Sequence, residues 1–149
     1  MSDADLIKLY SGRILELAAD IPLTERLEAP QATVKKRSPL CGSTVTVDLS
    51  LQDGRVAAYG QDVKACALGQ AAASIVGAQI LGRTRAEVET ARDQLKAMLK
   101  SGGPTPDAPF DGLEVLRPAA DFKNRHASIL LTLEAASEAM ANAEAAACA

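Results

Sequence analysis

Aromatic side chains are nearly missing from this chain. There is no tryptophan, and two tyrosines and two phenylalanines bring the aromatic content to only 3% of 149 residues. Modules that stack bases on aromatic platforms are therefore disfavoured. Positive charge is not in excess: 16 Lys and Arg stand against 19 Asp and Glu, a net charge of −3. That balance argues against a protein built around a phosphate backbone, and no nucleic-acid partner is expected. No apolar run approaches the roughly 20 residues of a membrane helix. The longest, Ala71 to Leu81, is interrupted by Ser74, Gly77 and Gln79. The acidic start Met1-Ser2-Asp3-Ala4-Asp5 has no basic segment followed by an apolar one, so no secretory signal is expected. Cysteine is scarce and odd in number: Cys41, Cys66 and Cys148. Without an export signal, that number implies a reducing, cytoplasmic setting and free thiols rather than a disulfide framework.

Enzyme motifs are missing too. There is no glycine-rich phosphate loop, no G-x-S-x-G and no H-E-x-x-H. Gly102-Gly103-Pro104 is no phosphate cradle, because Pro104 lacks a donor. The expectation is a protein that is not an enzyme.

What is present is an ordinary globular composition, with 48% hydrophobic and 23% charged residues. The length suits one domain with a core of its own, expected over 1–149. With so few aromatics, that core has to be aliphatic and rich in alanine. Apolar positions from Leu6 to Ala19 recur at helical spacing. Ala32 to Lys36 is the length of an edge strand. From Thr44 to Leu51, Val45, Val47, Leu49 and Leu51 alternate with Thr44, Thr46, Asp48 and Ser50, predicting a strand with one buried and one wet face. Asp53-Gly54 is a hairpin signal, after which Arg55 to Gly60 returns as the next strand.

From Ala65 the pattern becomes helical, with Gly82 as its stop. Thr84 and Glu87 form a capping-box pair for a further helix reaching Lys100. A short helical turn over Leu113 to Leu116 is expected to end before Pro118. A long final helix is expected from Asp121 to Ala147, with 143–149 frayed because its alanines have little to pack against. The sum is an α+β fold: a small three-stranded antiparallel sheet with helices on one face and a long C-terminal helix.

Three residues draw attention as a set. Cys41 precedes a strand in Leu40-Cys41-Gly42, Cys66 stands at a strand-to-helix junction 25 residues on, and His126 is the only histidine. Backbone N–H groups at a helix start favour the thiolate form of a cysteine placed there. Thiolate and imidazole are ligand types for zinc and for iron–sulfur clusters. The spacing alone leaves other readings open: unpaired cysteines are often small buried hydrophobes, and a histidine at a helix start is often a capping or surface residue. Cys148, in the alanine-rich tail, reads as an incidental thiol.

From Leu6 to Ala136 the chain resembles the IscU/NifU-type iron–sulfur cluster scaffold family, and within it an alphaproteobacterial branch. Cys41-Gly42 before a strand, Ala65-Cys66-Ala67 at a helix start, and His126-Ala127-Ser128-Ile129-Leu130 at the start of a late helix carry the resemblance. The resemblance implies a scaffold or carrier that binds a 2Fe–2S cluster or metal through Cys41, Cys66 and His126. A cysteine desulfurase would supply the sulfur and a client protein would receive the cluster. A monomer or weak homo-oligomer is expected, and no membrane partner.

The departures are equally specific. Ser43 stands where the family has an aspartate, leaving at best a weak oxygen ligand. Ala127 replaces the third ligand cysteine. Ala120-Asp121-Phe122-Lys123-Asn124-Arg125 replaces a proline-rich chaperone-binding segment. A fourth ligand would come from a second copy, a small thiol or Cys148. Two other functions compete with cluster carriage. One is a zinc-bound sulfur acceptor or adaptor of a desulfurase, with zinc completing a Cys₂His site. The other is a degenerate interaction domain that binds no metal.

Overall fold

The computed structural model describes residues 11–39 and 42–148, the last of these in its backbone only. Helix α1 spans Gly12–Ala19, strands β1 Ala32–Arg37, β2 Thr44–Gln52 and β3 Arg55–Lys64, helices α2 Ala67–Gln79, α3 Arg85–Ser101 and α4 His126–Cys148. Two 3₁₀ segments, Asp111–Asp121 and Lys123–Arg125, join α3 to α4. The first helix is expected to run from Leu6, but Ser11 is extended and caps it, accepting from the Ile14 N–H, so α1 starts only at Gly12; residues 6–10 lie outside the described residues.

The sheet is an antiparallel meander in the order β1-β2-β3, with β1 at one edge. Valines face one another across the strands: Val34 pairs with Val47, and Val45 with the half-buried Val63. The hairpin turns through Asp53 and Gly54, both with positive φ, 54° and 76°, the geometry of a tight two-residue connection. β3 continues four residues beyond the expected end at Gly60, to Lys64.

Val45, Val47 and Leu49 of β2 are fully buried, and α4 packs across β1 and β2. α2 and α3 in turn flank α4, which becomes the central helix of the molecule. Its alanines explain how: Ala135, Ala136, Ala139 and Ala143 are all buried, so their small volumes let neighbouring elements approach closely. The aliphatic, alanine-rich core expected from composition is present. The helix runs on to Cys148, although Ala145, Ala146 and Ala147 are exposed.

Two expectations need correction. The second face of β2 is not wet: Asp48 is fully buried and Thr46 nearly so. The segment between α1 and β1 lies over this face. Gly60, the register partner of Asp48, makes that approach feasible, because a Cβ there would sit 2.4 Å from the Glu25 carbonyl oxygen. The Leu27 N–H and the Arg26 guanidinium then reach the Asp48 carboxylate. Burial pushes this carboxyl up, but hydrogen bonds from Arg26, Thr33 and the Leu27 N–H, with the Arg26 charge, outweigh it and hold Asp48 below its ordinary value.

The turn at Leu113 to Leu116 is the second. It extends from Asp111 to Asp121 as a 3₁₀ helix that passes through Pro118. Phe110, Leu113, Leu116 and Ala119 are all buried, a repeat of three that matches three residues per turn. Pro118 falls off that stripe. The same segment shortens α4, which begins at His126 rather than Asp121.

Candidate functional site

Cys66 is the N-cap of α2, and its thiol makes no capping hydrogen bond. It is half-buried. Its Sγ lies 3.5 Å from the Ser128 Oγ. Ser128, in the first turn of α4, is buried and donates to the Ser43 Oγ at 3.0 Å. A thiol and two hydroxyls thus connect the start of α2, the start of α4 and the entry to β2.

The connection depends on how closely α2 meets α4. Gly69 lies one turn into α2, and a Cβ on it would stand 2.7 Å from the Ser128 Oγ and 3.2 Å from the Ser128 carbonyl oxygen. The missing side chain lets the first turn of α2 rest on the Ser128 backbone, and the Cys66 thiol follows it there.

Ser43 ends the β1–β2 connection. The Ser38 N–H donates to the Ser43 carbonyl at 2.8 Å, and the Gly42 N–H to the Ser38 carbonyl at 3.1 Å. Cys41, the other expected thiolate ligand, belongs to this connection and lies outside the described residues, as does the Cys148 side chain.

His126 is buried at the first position of α4. Its Nε2 lies 3.0 Å from the Ala119 carbonyl oxygen and 3.1 Å from that of Ala120. A carbonyl can only accept, so Nε2 is the protonated nitrogen and donates to both. Nδ1 has no hydrogen-bond partner among the described residues. Backbone carbonyls that fix one ring nitrogen of a histidine are the usual outer support of a metal-binding imidazole. His126 and Ala127 line one cleft with Leu99, Leu130 and Lys96.

Among the described residues, Cys66 therefore joins Ser128 and Ser43, while His126 turns to the end of the 3₁₀ segment. No group of three or more His, Cys, Asp or Glu side chains among the described residues is arranged to hold a metal. The donor types, a soft thiol and an imidazole with a bare nitrogen, do fit iron or zinc chemistry. Ser128 was missed by sequence reasoning as a contact of Cys66. No local signal marks it, because the contact is made only where α2 and α4 cross. No described helix is long and apolar enough to cross a membrane.

No protein-family model matches the chain, and no curated protein matches it either. Solved structures do. A nitrogen-fixing NifU-like protein (N-terminal) from Brucella abortus shares 40% identity over 95% of this chain and 98% of its own, with a TM-score of 0.92. A candidate iron–sulfur cluster assembly scaffold for the SUF system, from the thermophile Fervidobacterium islandicum AW-1, is 18% identical over 90% of this chain and 98% of its own, with a TM-score of 0.78. A hypothetical protein is 19% identical over 91% and 98%, with a TM-score of 0.79. The last two share the fold.

Proposed function

This chain belongs to the NifU-like N-terminal domain family, and from that premise we propose that it is an iron–sulfur cluster assembly scaffold or carrier. Cys41, Cys66 and His126 are the proposed ligands of the cargo, a 2Fe–2S cluster or its iron. Thiolates and imidazole are established ligands of such clusters. One observation carries the reading: the Cys66–Ser128–Ser43 contact chain joins the α2 start to the α4 start and to the residue two positions after Cys41. Those are the three segments on which the proposed ligands stand.

In this role a cysteine desulfurase is the proposed source of sulfur, and a client protein the acceptor of the finished cluster. Cys66 is only half-buried, which suits ligand exchange: client thiolates can displace the carrier's one at a time. A full set of four ligands is one more than this chain's three. Ala127 offers no donor, so the last position would be met by an exogenous thiol, a second copy or a weak oxygen such as Ser43. A cluster held by few ligands is more readily passed on than one held by four cysteines, which favours carriage over storage. The protein itself would turn over no substrate.

The test is iron, zinc and acid-labile sulfide content, with a visible spectrum, on protein purified without oxygen. The proposal expects iron and sulfide in equal amounts and sulfur-to-iron charge-transfer bands, both lost in Cys66→Ala. Zinc alone at one per chain would replace it by the sulfur-acceptor reading. No metal, and no change in the variant, would leave a metal-free interaction domain.

A further inference from the structure

A second feature lies along the α3–α4 seam, in the cleft that His126 also lines, and is set by charges other than the proposed ligands. Lys96 and Lys100 of α3 and Lys123 of the second 3₁₀ segment border a cleft of about 530 Å³. Lys96 and Lys100 are one helical turn apart, so they project on the same side. Leu99, Ala120, Ala127 and Leu130 line it between them, and Glu134 is the only acidic residue in its wall. None of the three lysine ammonium groups has an ion-pair or hydrogen-bond partner among the described residues.

The neighbouring groove is different. Lys36 pairs there with Glu138 at 3.0 Å, Arg92 with Asp93 at 3.0 Å, and Arg92 also donates to Ser137. Lys36, Arg92, Asp93 and Glu138 are thus paired within the molecule. Lys96, which borders both grooves, is not, nor are Lys100 and Lys123, although the whole chain carries net charge −3. Like charges one turn apart oppose each other, and a bound anion would offset that repulsion.

From this complementarity we infer that the cleft docks an acidic segment of a partner protein, carboxylates on Lys96, Lys100 and Lys123 and one apolar side chain on Leu99, Ala127 and Leu130. A phosphate backbone fits less well, because no aromatic or arginine side chain lines the cleft and Glu89, Asp93 and Glu138 line its continuation. A small inorganic anion would leave the apolar wall unused. Leu99 and Leu130 are almost fully buried, so affinity should rest mainly on charge and weaken with salt. Docking here would set the partner beside His126 and Ala127.

The test is fluorescence anisotropy of a labelled Glu-Glu-Leu-Glu-Glu peptide with the full chain, together with amide shifts in an ¹⁵N spectrum. Saturable binding should weaken as salt rises, with shifts confined to 96–100 and 120–134. Lys96→Glu with Lys100→Glu should lower affinity by about tenfold or more, and the paired glutamine variant by less. Lys35→Glu with Lys64→Glu makes the same change in net charge elsewhere and should leave affinity nearly unchanged. Equal losses in the two glutamate pairs would overturn the inference, since net charge alone would then explain binding. So would equal binding of Glu-Glu-Ser-Glu-Glu, tighter binding of a single-stranded oligonucleotide to the same residues, or no binding. An unaltered ¹⁵N spectrum outside the cleft confirms that the lysine variants fold.

Discussion

Gly69 and Ser128 meet so closely that no side chain fits between them: a Cβ on Gly69 would lie 2.7 Å from the Ser128 Oγ and 2.8 Å from the Ala65 Cβ. Two opposing terms decide what Gly69→Ala does. Alanine gains about 1 kcal/mol in helix propensity over glycine. Forcing a methyl against the Ser128 backbone costs roughly 1–3 kcal/mol. The hydroxyl could swing away, but the Ser128 carbonyl at 3.2 Å belongs to the central helix and cannot. Net destabilisation should appear as a lower urea midpoint with an unchanged slope. A midpoint equal to wild type would mean that α2 and α4 separate at little cost, and that their contact does not fix Cys66.

The buried carboxylate at Asp48 gives a pH prediction. It accepts from the Arg26 Nη2 at 3.0 Å, the Leu27 N–H at 3.1 Å and the Thr33 hydroxyl at 2.6 Å. Its folded-state pKa is lowered. Stability from a lowered carboxyl is present above the unfolded-state value, near 3.9, and is lost as pH falls through the folded-state value. Asp48→Ala should cost about 2–3 kcal/mol at neutral pH, since it strips the donors of three residues of a charged acceptor. Unfolding by urea at pH 7 and again near pH 3 checks it: the gap between wild type and variant should narrow at the lower pH. A gap that stays constant would show that packing, and not the carboxylate's charge, is what the substitution removes.

This site also marks where sequence reading stops. Alternation in β2 correctly gave a strand and its buried valine face. It could not show what covers the other face, because the cover is the 20–31 segment, which has no periodicity of its own. Only the pairing of Asp48 with Gly60 hints that backbone lies there. The capping box at Thr84 was legible because it is local, and so was the hairpin at Asp53-Gly54. The 3₁₀ helix after Phe110 was written in a three-residue repeat, but Pro118 drew attention away from it. In the candidate site, Cys66 was placed correctly at a helix start. Its contact with Ser128, 62 positions on, depends on the crossing of two helices, which no local pattern encodes.

The α3 start allows a calibrated comparison. The Thr84 Oγ1 accepts from the Glu87 N–H at 3.2 Å, and the Glu87 Oε1 accepts from the Thr84 N–H at 3.0 Å. The Thr84 N–H bond, with help from the Thr84 hydroxyl and Arg83, holds the Glu87 carboxyl below its ordinary value. Thr84→Ala should cost about 1 kcal/mol. Thr84→Ala with Glu87→Ala should cost less than the two single changes added, because they remove one reciprocal unit. A double-mutant cycle from urea midpoints measures the coupling. Strict additivity would mean that the two bonds act separately.

The last prediction concerns which nitrogen of His126 is available. Its Nε2 is committed to the Ala119 and Ala120 carbonyls, which leaves Nδ1 as the sole nitrogen able to bind a metal without breaking a buried hydrogen bond. Long-range ¹H–¹⁵N spectra of the metal-free chain, taken where the ring is neutral, should show the Nε2–H tautomer. Adding zinc should shift the Nδ1 resonance and leave the Nε2 proton in place. His126→Ala should weaken zinc binding by about tenfold or more, by analogy with losses seen when a metal-bound imidazole loses its support. An Nδ1–H tautomer would mean that the carbonyl contact is not the orienting bond. Zinc binding with the Nδ1 signal unmoved would remove His126 from the ligand set and leave the thiols to hold the metal without it.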